Sequence, residues 1–185
     1  MARIPVATRE SVPANRRDTF DEIVAERGGP IERGPVSVLI NSPEMAKRAG
    51  QLSSYLRQDS TLSAKIQELA MLVTARERDC QFIWNAHAAS GRRAGLSDAL
   101  VDALRDKTEL PQVADDESAV VNYGREFFRT NQVSEATFQA ALQQFGTQTL
   151  IELTTLMGYY ALLAFNANAF TIDLPTERTE TVLPV

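Results

Sequence analysis

One cysteine, one histidine and one tryptophan are all that the 185 residues hold of these three side chains. A single cysteine excludes an intramolecular disulfide. With a single histidine beside it, no zinc site of the usual Cys/His type can be assembled from one chain, and no metal is expected. Long apolar runs are also missing. The nearest, "GYYALLAFNANAF", is too short to cross a bilayer and carries two asparagines, so it reads as a buried helix and no membrane partner is expected. The opening "MARIPVATRESVP" lacks the apolar stretch of a secretory signal, which points to the cytoplasm. Nor is positive charge in excess. Nineteen Lys and Arg are scattered among 24 Asp and Glu, for a formal charge of −5. A nucleic-acid ligand is therefore not expected, because phosphate-tracking surfaces concentrate basic residues.

What is present is the composition of an ordinary globular protein, 44% hydrophobic and 23% charged, long enough to bury a substantial core without disulfides or metals. Proline, charge and "RGG" mark residues 1–35 as an N-terminal arm, with one amphipathic stretch, "RDTFDEIVAE", in which Phe20, Ile23 and Val24 share a helix face. Residues 36–175 read as one helical domain, and 176–185 as an extended tail that is loose or packs on a neighbour. "VSVLI" is β-branched but has no strand of comparable strength to pair with, so it is assigned to a loop or the start of a helix.

From Ser42 onward the pattern is helical. Ser42 followed by Pro43 suits a helix start, and Met45, Leu52, Tyr55 and Leu56 supply an inward face. Leu62, Ile66, Leu69 and Val73 repeat at helical spacing with Glu68 among them. A further helix starts near Asp79 or Cys80, with Asp79 as a reasonable cap, and stops at Gly95. Ser97 caps the next, with Leu100, Val101 and Leu104 inward. Val120, Val121, Tyr123, Phe127 and Phe128 mark another. Ser134 caps a helix carrying Phe138, Leu142 and Phe145 and closed by Gly146. Leu150, Leu153, Met157, Tyr160 and Ala164 line a last, broadly apolar helix. The class is all-α, a compact bundle of seven to nine helices.

The stretch Asp79 to Gly91, "DCQFIWNAHAASG", holds all three once-only residues. On a helix, Cys80, Ile83, Trp84 and His87 fall on one face. A thiol at a helix N-terminus, with Arg76 and Arg78 upstream, is favoured as thiolate, while Glu77 and Asp79 oppose that. His87 has the intrinsic basicity of a general acid or base, and Glu68 interrupts the apolar stripe of the preceding helix, where a carboxylate needs a partner. Each residue alone also has a packing explanation. Together a thiol, an imidazole and a half-buried carboxylate are the parts of an acid/base site.

The segment "QELAMLVTARERDCQFIWNAHAASGRRAGLSDALVDALR" resembles the core of the carboxymuconolactone decarboxylase family, which includes the alkylhydroperoxidase D-like proteins. The resemblance extends over most of residues 25–175. It implies the all-α fold of that family, a small-molecule substrate, no cofactor and a homo-oligomer, trimeric or hexameric. In the hydroperoxidase branch Glu68, Cys80 and His87 match in register, but Ile83 stands where the second cysteine of Cys-x-x-Cys belongs. The resemblance to the decarboxylase branch, with "FIWNAH" in place of paired cysteines, implies acid/base loss of a carboxylate from a small lactone or keto acid. His87 is then the proton donor, Glu68 orients it, Arg76 or Arg78 is the anion clamp, Trp84 is a pocket wall, and Cys80 is at most a helper. Two alternatives stand beside this. One is a thiol-dependent peroxidase using Cys80 with an external thiol; the other is a non-catalytic oligomer that binds a ligand.

Overall fold

The computed structural model describes residues 2–185, and among them there are eight α-helices and no strand. They are α1 (Arg17–Glu26), α2 (Pro35–Leu39), α3 (Pro43–Ser54), α4 (Ala64–Glu77), α5 (Gln81–Arg93), α6 (Asp98–Asp106), α7 (Asp115–Thr130) and α8 (Glu135–Ala169). A π-helical turn, Tyr55–Asp59, continues α3. The class expected from the sequence is the class found.

The centre is α4. Every residue from Ile66 to Arg76 is buried, because α5, α7 and α8 all pack on this helix. Leu69 and Leu72 are fully enclosed, and burial of each is worth roughly 1.5–3 kcal/mol. The four polar residues in that run find partners within the fold. Ser63 caps α4 by accepting from the Ile66 N–H at 3.3 Å, and the serines at 97 and 134 cap α6 and α8 in the same way.

Two close approaches set the packing. A Cβ on Gly124 of α7 would lie 2.7 Å from Val73 of α4 and 2.9 Å from Met157 of α8. One on Gly91 of α5 would lie 3.0 Å from Leu96 and 3.1 Å from Leu72. Helix α5 ends in a Schellman motif, in which the N–H groups of Gly95 and Leu96 bond the carbonyls of Arg92 and Gly91. Helix α8 is broken at Gly146 (φ 72°, ψ 171°), a conformation that residues with a side chain avoid. By length and composition α8 could cross a membrane, but 61% of its most apolar window is buried inside the fold, as in a core helix.

Three expectations are corrected. Met45, Leu52 and Tyr55 are 49%, 41% and 44% exposed; the inward face of α3 is Pro43 and Ala46, and Leu56 reaches the core only after the wider π-turn has changed the helical register. Phe138 also faces outward, while Ala141 is the buried residue of its arm. The tail is not loose. Leu183 is buried in the core, with its carbonyl accepting from Gln81 Nε2 and that of Pro184 from Arg76 Nη1. Of "VSVLI", residues 36–39 lie within the short helix α2, with Gly34 and Pro35 at its start and Ile40 as its C-cap.

Candidate active site

The chain reverses over Arg78, Asp79 and Cys80, so that α5 runs back along α4. Asp79 takes a left-handed conformation (φ 45°) and pairs with Arg76, leaving Cys80 rather than Asp79 at the N-cap of α5. This hairpin brings residues 19 positions apart into contact. His87 Nδ1 lies 2.8 Å from Glu68 Oε2, with each residue only 8% exposed. The close fit at Gly91 keeps α5 on α4 at this level; its Cβ position is 3.8 Å from that of Glu68.

Two further side chains complete the cluster. Arg57, in the π-turn, places Nη2 3.8 Å from Glu68 Oε1 and donates from Nη1 to the Tyr160 hydroxyl at 3.2 Å. The Tyr160 ring meets His87 edge to face, with centroids 5.2 Å apart at 81°, and Tyr159 packs on Tyr160 in turn. Burial pushes the Tyr160 hydroxyl up to about 12, so it remains a neutral group able to donate. With Glu68 ionised, its oxygen accepts the Nδ1 proton, which fixes the imidazole and leaves Nε2 for exchange with a ligand. Nε2 has no hydrogen-bond partner among the described residues.

The arginine is half-exposed at the outer end of this cluster. It also lines, with Tyr159, a cleft of about 830 Å³ walled by α1, α2 and α3. Neither Glu68 nor His87 lines that cleft, so Arg57 is the element the two regions share.

The remaining sequence-selected residues lie elsewhere. Cys80 is seven residues before His87, about 10 Å along the helix axis, and fully buried. Burial pushes its thiol up, against the opposing pull of the Ile83 and Phe82 N–H groups, so the helix N-terminus does not yield a thiolate. Trp84 is 1% exposed and belongs to the core. Arg76 is eight residues beyond Glu68, about 12 Å along α4, where it is buried among Asp79 and the carbonyls of Arg105 and Pro184. Arg78 donates to the Phe128 carbonyl and stacks over the Phe128 ring at 4.4 Å. Both arginines hold the fold, and Arg57 is the cation beside the Glu68–His87 pair. Sequence reasoning passed over Arg57 because nothing in "SSYLRQDS" distinguishes it from a solvated helix end. Tyr160 reads in the sequence only as one member of an apolar stripe. Among the described residues no three His, Cys, Asp or Glu side chains converge as metal ligands would.

Residues 43–124 match the model of the carboxymuconolactone decarboxylase family. No curated protein sequence matches the chain significantly. Among solved structures, an uncharacterized peroxidase-related protein from Ralstonia eutropha JMP134, described as having an alkylhydroperoxidase AhpD core, superposes with a TM-score of 0.69 at 18% identity, covering 95% of this chain and 93% of its own. An uncharacterized peroxidase-related protein from Silicibacter sp. TM1040 gives 0.71 at 15%, covering 95% and 92%. The debrominase Bmp8, as a cysteine-to-alanine variant in complex with 2,3,4-tribromopyrrole, gives 0.70 at 10%, covering 94% and 91%. At these identities the likeness is one of fold.

Proposed function

We propose that this chain, whose residues 43–124 match the carboxymuconolactone decarboxylase family and whose fold is alkylhydroperoxidase D-like, is a cofactor-independent acid/base enzyme of the cytoplasm that decarboxylates a small carboxylated lactone or keto acid. The observation that carries this reading is the buried 2.8 Å Glu68–His87 contact, with imidazole Nε2 unbonded and the Arg57 guanidinium beside it. In the proposed reaction the C–C bond to the carboxylate breaks, CO₂ leaves, and the electron pair passes to an enolate. The His87 imidazolium then gives its Nε2 proton to carbon, Glu68 stabilises the cation beforehand, and solvent restores the proton. Arg57 is best used on the developing enolate oxygen. A cation on the leaving carboxylate would stabilise the ground state instead of the transition state.

A second reading is favoured by the register of Glu68, Cys80 and His87 and by the peroxidase-related names of two fold neighbours. Cys80 sulfur would attack a peroxide oxygen, forming a sulfenic acid and releasing an alkoxide protonated by His87, and an external thiol would reduce the sulfur. The full burial of Cys80 weighs against it.

Assays of CO₂ release from small carboxylated lactones and 2-keto acids, and of peroxide loss with a dithiol present, separate these readings. His87→Gln and Glu68→Gln are expected to lower decarboxylation by roughly 10²–10⁴-fold, the usual range for a lost general acid, while Cys80→Ser retains it. Peroxide turnover abolished by Cys80→Ser would establish the second reading instead. If neither reaction proceeds, the reading as a non-catalytic oligomer that binds a ligand gains. We further propose that a second copy of the chain covers the stripe Ile151, Leu162 and Phe165 along α8, which is exposed in one subunit apart from Arg78 over the Phe165 ring.

A further inference from the structure

Arg57 owes its place to a turn that α8 holds from outside. The π-turn 55–59 is closed by the Ser60 N–H on the Tyr55 carbonyl, at 2.9 Å. Its first residue and the residue two places beyond its end both donate to one carboxylate. Tyr55 Oη reaches Glu152 Oε1 at 2.7 Å, while the N–H and hydroxyl of Thr61 reach Oε2 at 2.8 and 2.6 Å. Gln148 adds a fourth donor at 3.1 Å. Glu152 is 4% exposed, and the Thr149 hydroxyl lies 2.6 Å from that of Thr61, extending the network. On the inner side, Gln67, the neighbour of Glu68, donates to the carbonyls of Leu62 and Arg57. One helix thus carries both the carboxylate that bolts the turn and, eight residues on, the tyrosine that receives the Arg57 guanidinium.

We propose that Glu152 is a positioning residue, which fixes the π-turn through Tyr55 and Thr61 and so sets Arg57 against the Glu68–His87 pair. π-Turns recur at functional sites because the wider turn presents side chains that a regular helix would point elsewhere. Packing accounts for Leu56 in this turn but not for Arg57, whose side chain is 44% exposed. A carboxylate with four donors has no equivalent in the amide of glutamine. With glutamine in its place, Tyr55 and Gln148 can no longer donate to the NH₂, and the bonds from Thr61 to the remaining oxygen lose the charge that strengthens them, so the turn is held more weakly.

The inference rests on the assignment of the site above, yet its test does not need a substrate. His87 is the sole histidine, so its imidazole resonances in an NMR spectrum are free of overlap. Arg57→Gln is expected to shift them, through the lost charge and the freed Tyr160 ring. Glu152→Gln and Thr61→Val are expected to shift them in the same direction, while Thr61→Ser, which keeps the hydroxyl, returns them to the wild-type position. In the double variant Arg57→Gln/Glu152→Gln the shift should equal that of Arg57→Gln alone, because both act through one group. If Glu152→Gln and Thr61→Val lower the melting temperature and leave the imidazole unmoved, Glu152 is merely structural and the proposal is overturned. Additive shifts in the double variant would overturn it as well. A wild-type protein that turns over no candidate substrate would remove the enzymatic reading while these spectra still decided the positioning.

Discussion

Replacing Gly124 with alanine tests the packing that holds α4 in place. The new methyl would lie 2.7 Å from Val73 Cγ1, 2.9 Å from Met157 Cε and 3.3 Å from Met157 Sδ. Carbon atoms rest at about 3.5–4.0 Å, so the overlap with Val73 is roughly 1 Å. Met157 is a flexible thioether and can swing its methyl aside. Val73 is 1% exposed and stiff at χ1, so α7 or α4 must yield. Overpacking costs about 1–3 kcal/mol, and overlap on two faces places this site at the upper end. Alanine returns about 1 kcal/mol in helix propensity. The net loss is about 2 kcal/mol, which at ~2–4 °C per kcal/mol for a chain of this length lowers Tm by roughly 4–8 °C. Gly50 in α3 calibrates the propensity term, because nothing lies within 4 Å of its Cβ position. Gly50→Ala should gain about 1 kcal/mol and melt ~2–4 °C higher. Calorimetric melts of the two variants beside wild type are the measurement. A Gly124→Ala protein melting at or above wild type would show that α7 does not approach α4 and α8 as described.

Acid stability and assembly supply two more expectations. Hydrogen bonds from Thr61, then from Tyr55 and Gln148, hold the Glu152 carboxyl at about 2, below its ordinary 4.5. The unfolded chain therefore takes up this proton first as pH falls. The stabilisation is complete above about pH 4.5 and is lost as pH drops toward 2. Melting temperatures of Glu152→Gln should fall less steeply than those of wild type across that window, and parallel curves would refute the coupling. Ile151→Asp, at a position 61% exposed on α8, should reduce the sedimentation coefficient to that of a smaller species with helical content unchanged; an unaltered coefficient would free this face of any role in assembly.

Much of the frame was legible from local rules. The serines at 63, 97 and 134 cap helices, Gly95 and Gly146 end helical runs, and Leu69, Leu100, Leu153 and Ala164 are buried at their helical spacing. Glu68 and His87, singled out because a carboxylate interrupted an apolar stripe and a lone imidazole followed on the next helix, prove to be hydrogen-bonded. Where distance along the chain stood in for distance in space, the reading failed. Arg76 and Arg78 are nearer to Glu68 in sequence than Arg57 is, but a straight helix carries them away, while the turn before α4 folds Arg57 back. The faces of α3 were misjudged for a related reason. Regular 3.6-residue spacing does not describe a helix that ends in a π-turn, and no residue in "YLRQD" announces one.

The anchoring of Leu183 in the core, and of the Pro184 carbonyl on Arg76, bears on how the protein is made. Arg76 sits at the heart of the bundle with a guanidinium hydrogen aimed at the Pro184 carbonyl, 108 residues downstream. While that segment is still inside the ribosome, the helices can be threaded and loosely gathered, but Arg76 has only Asp79 and the Arg105 carbonyl to accept from it and the place of Leu183 is unfilled. Completion of the interior must therefore wait until residues 183 and 184 have left the ribosome, 108 residues after Arg76, and during that interval the nascent protein is the form that chaperones and proteases encounter.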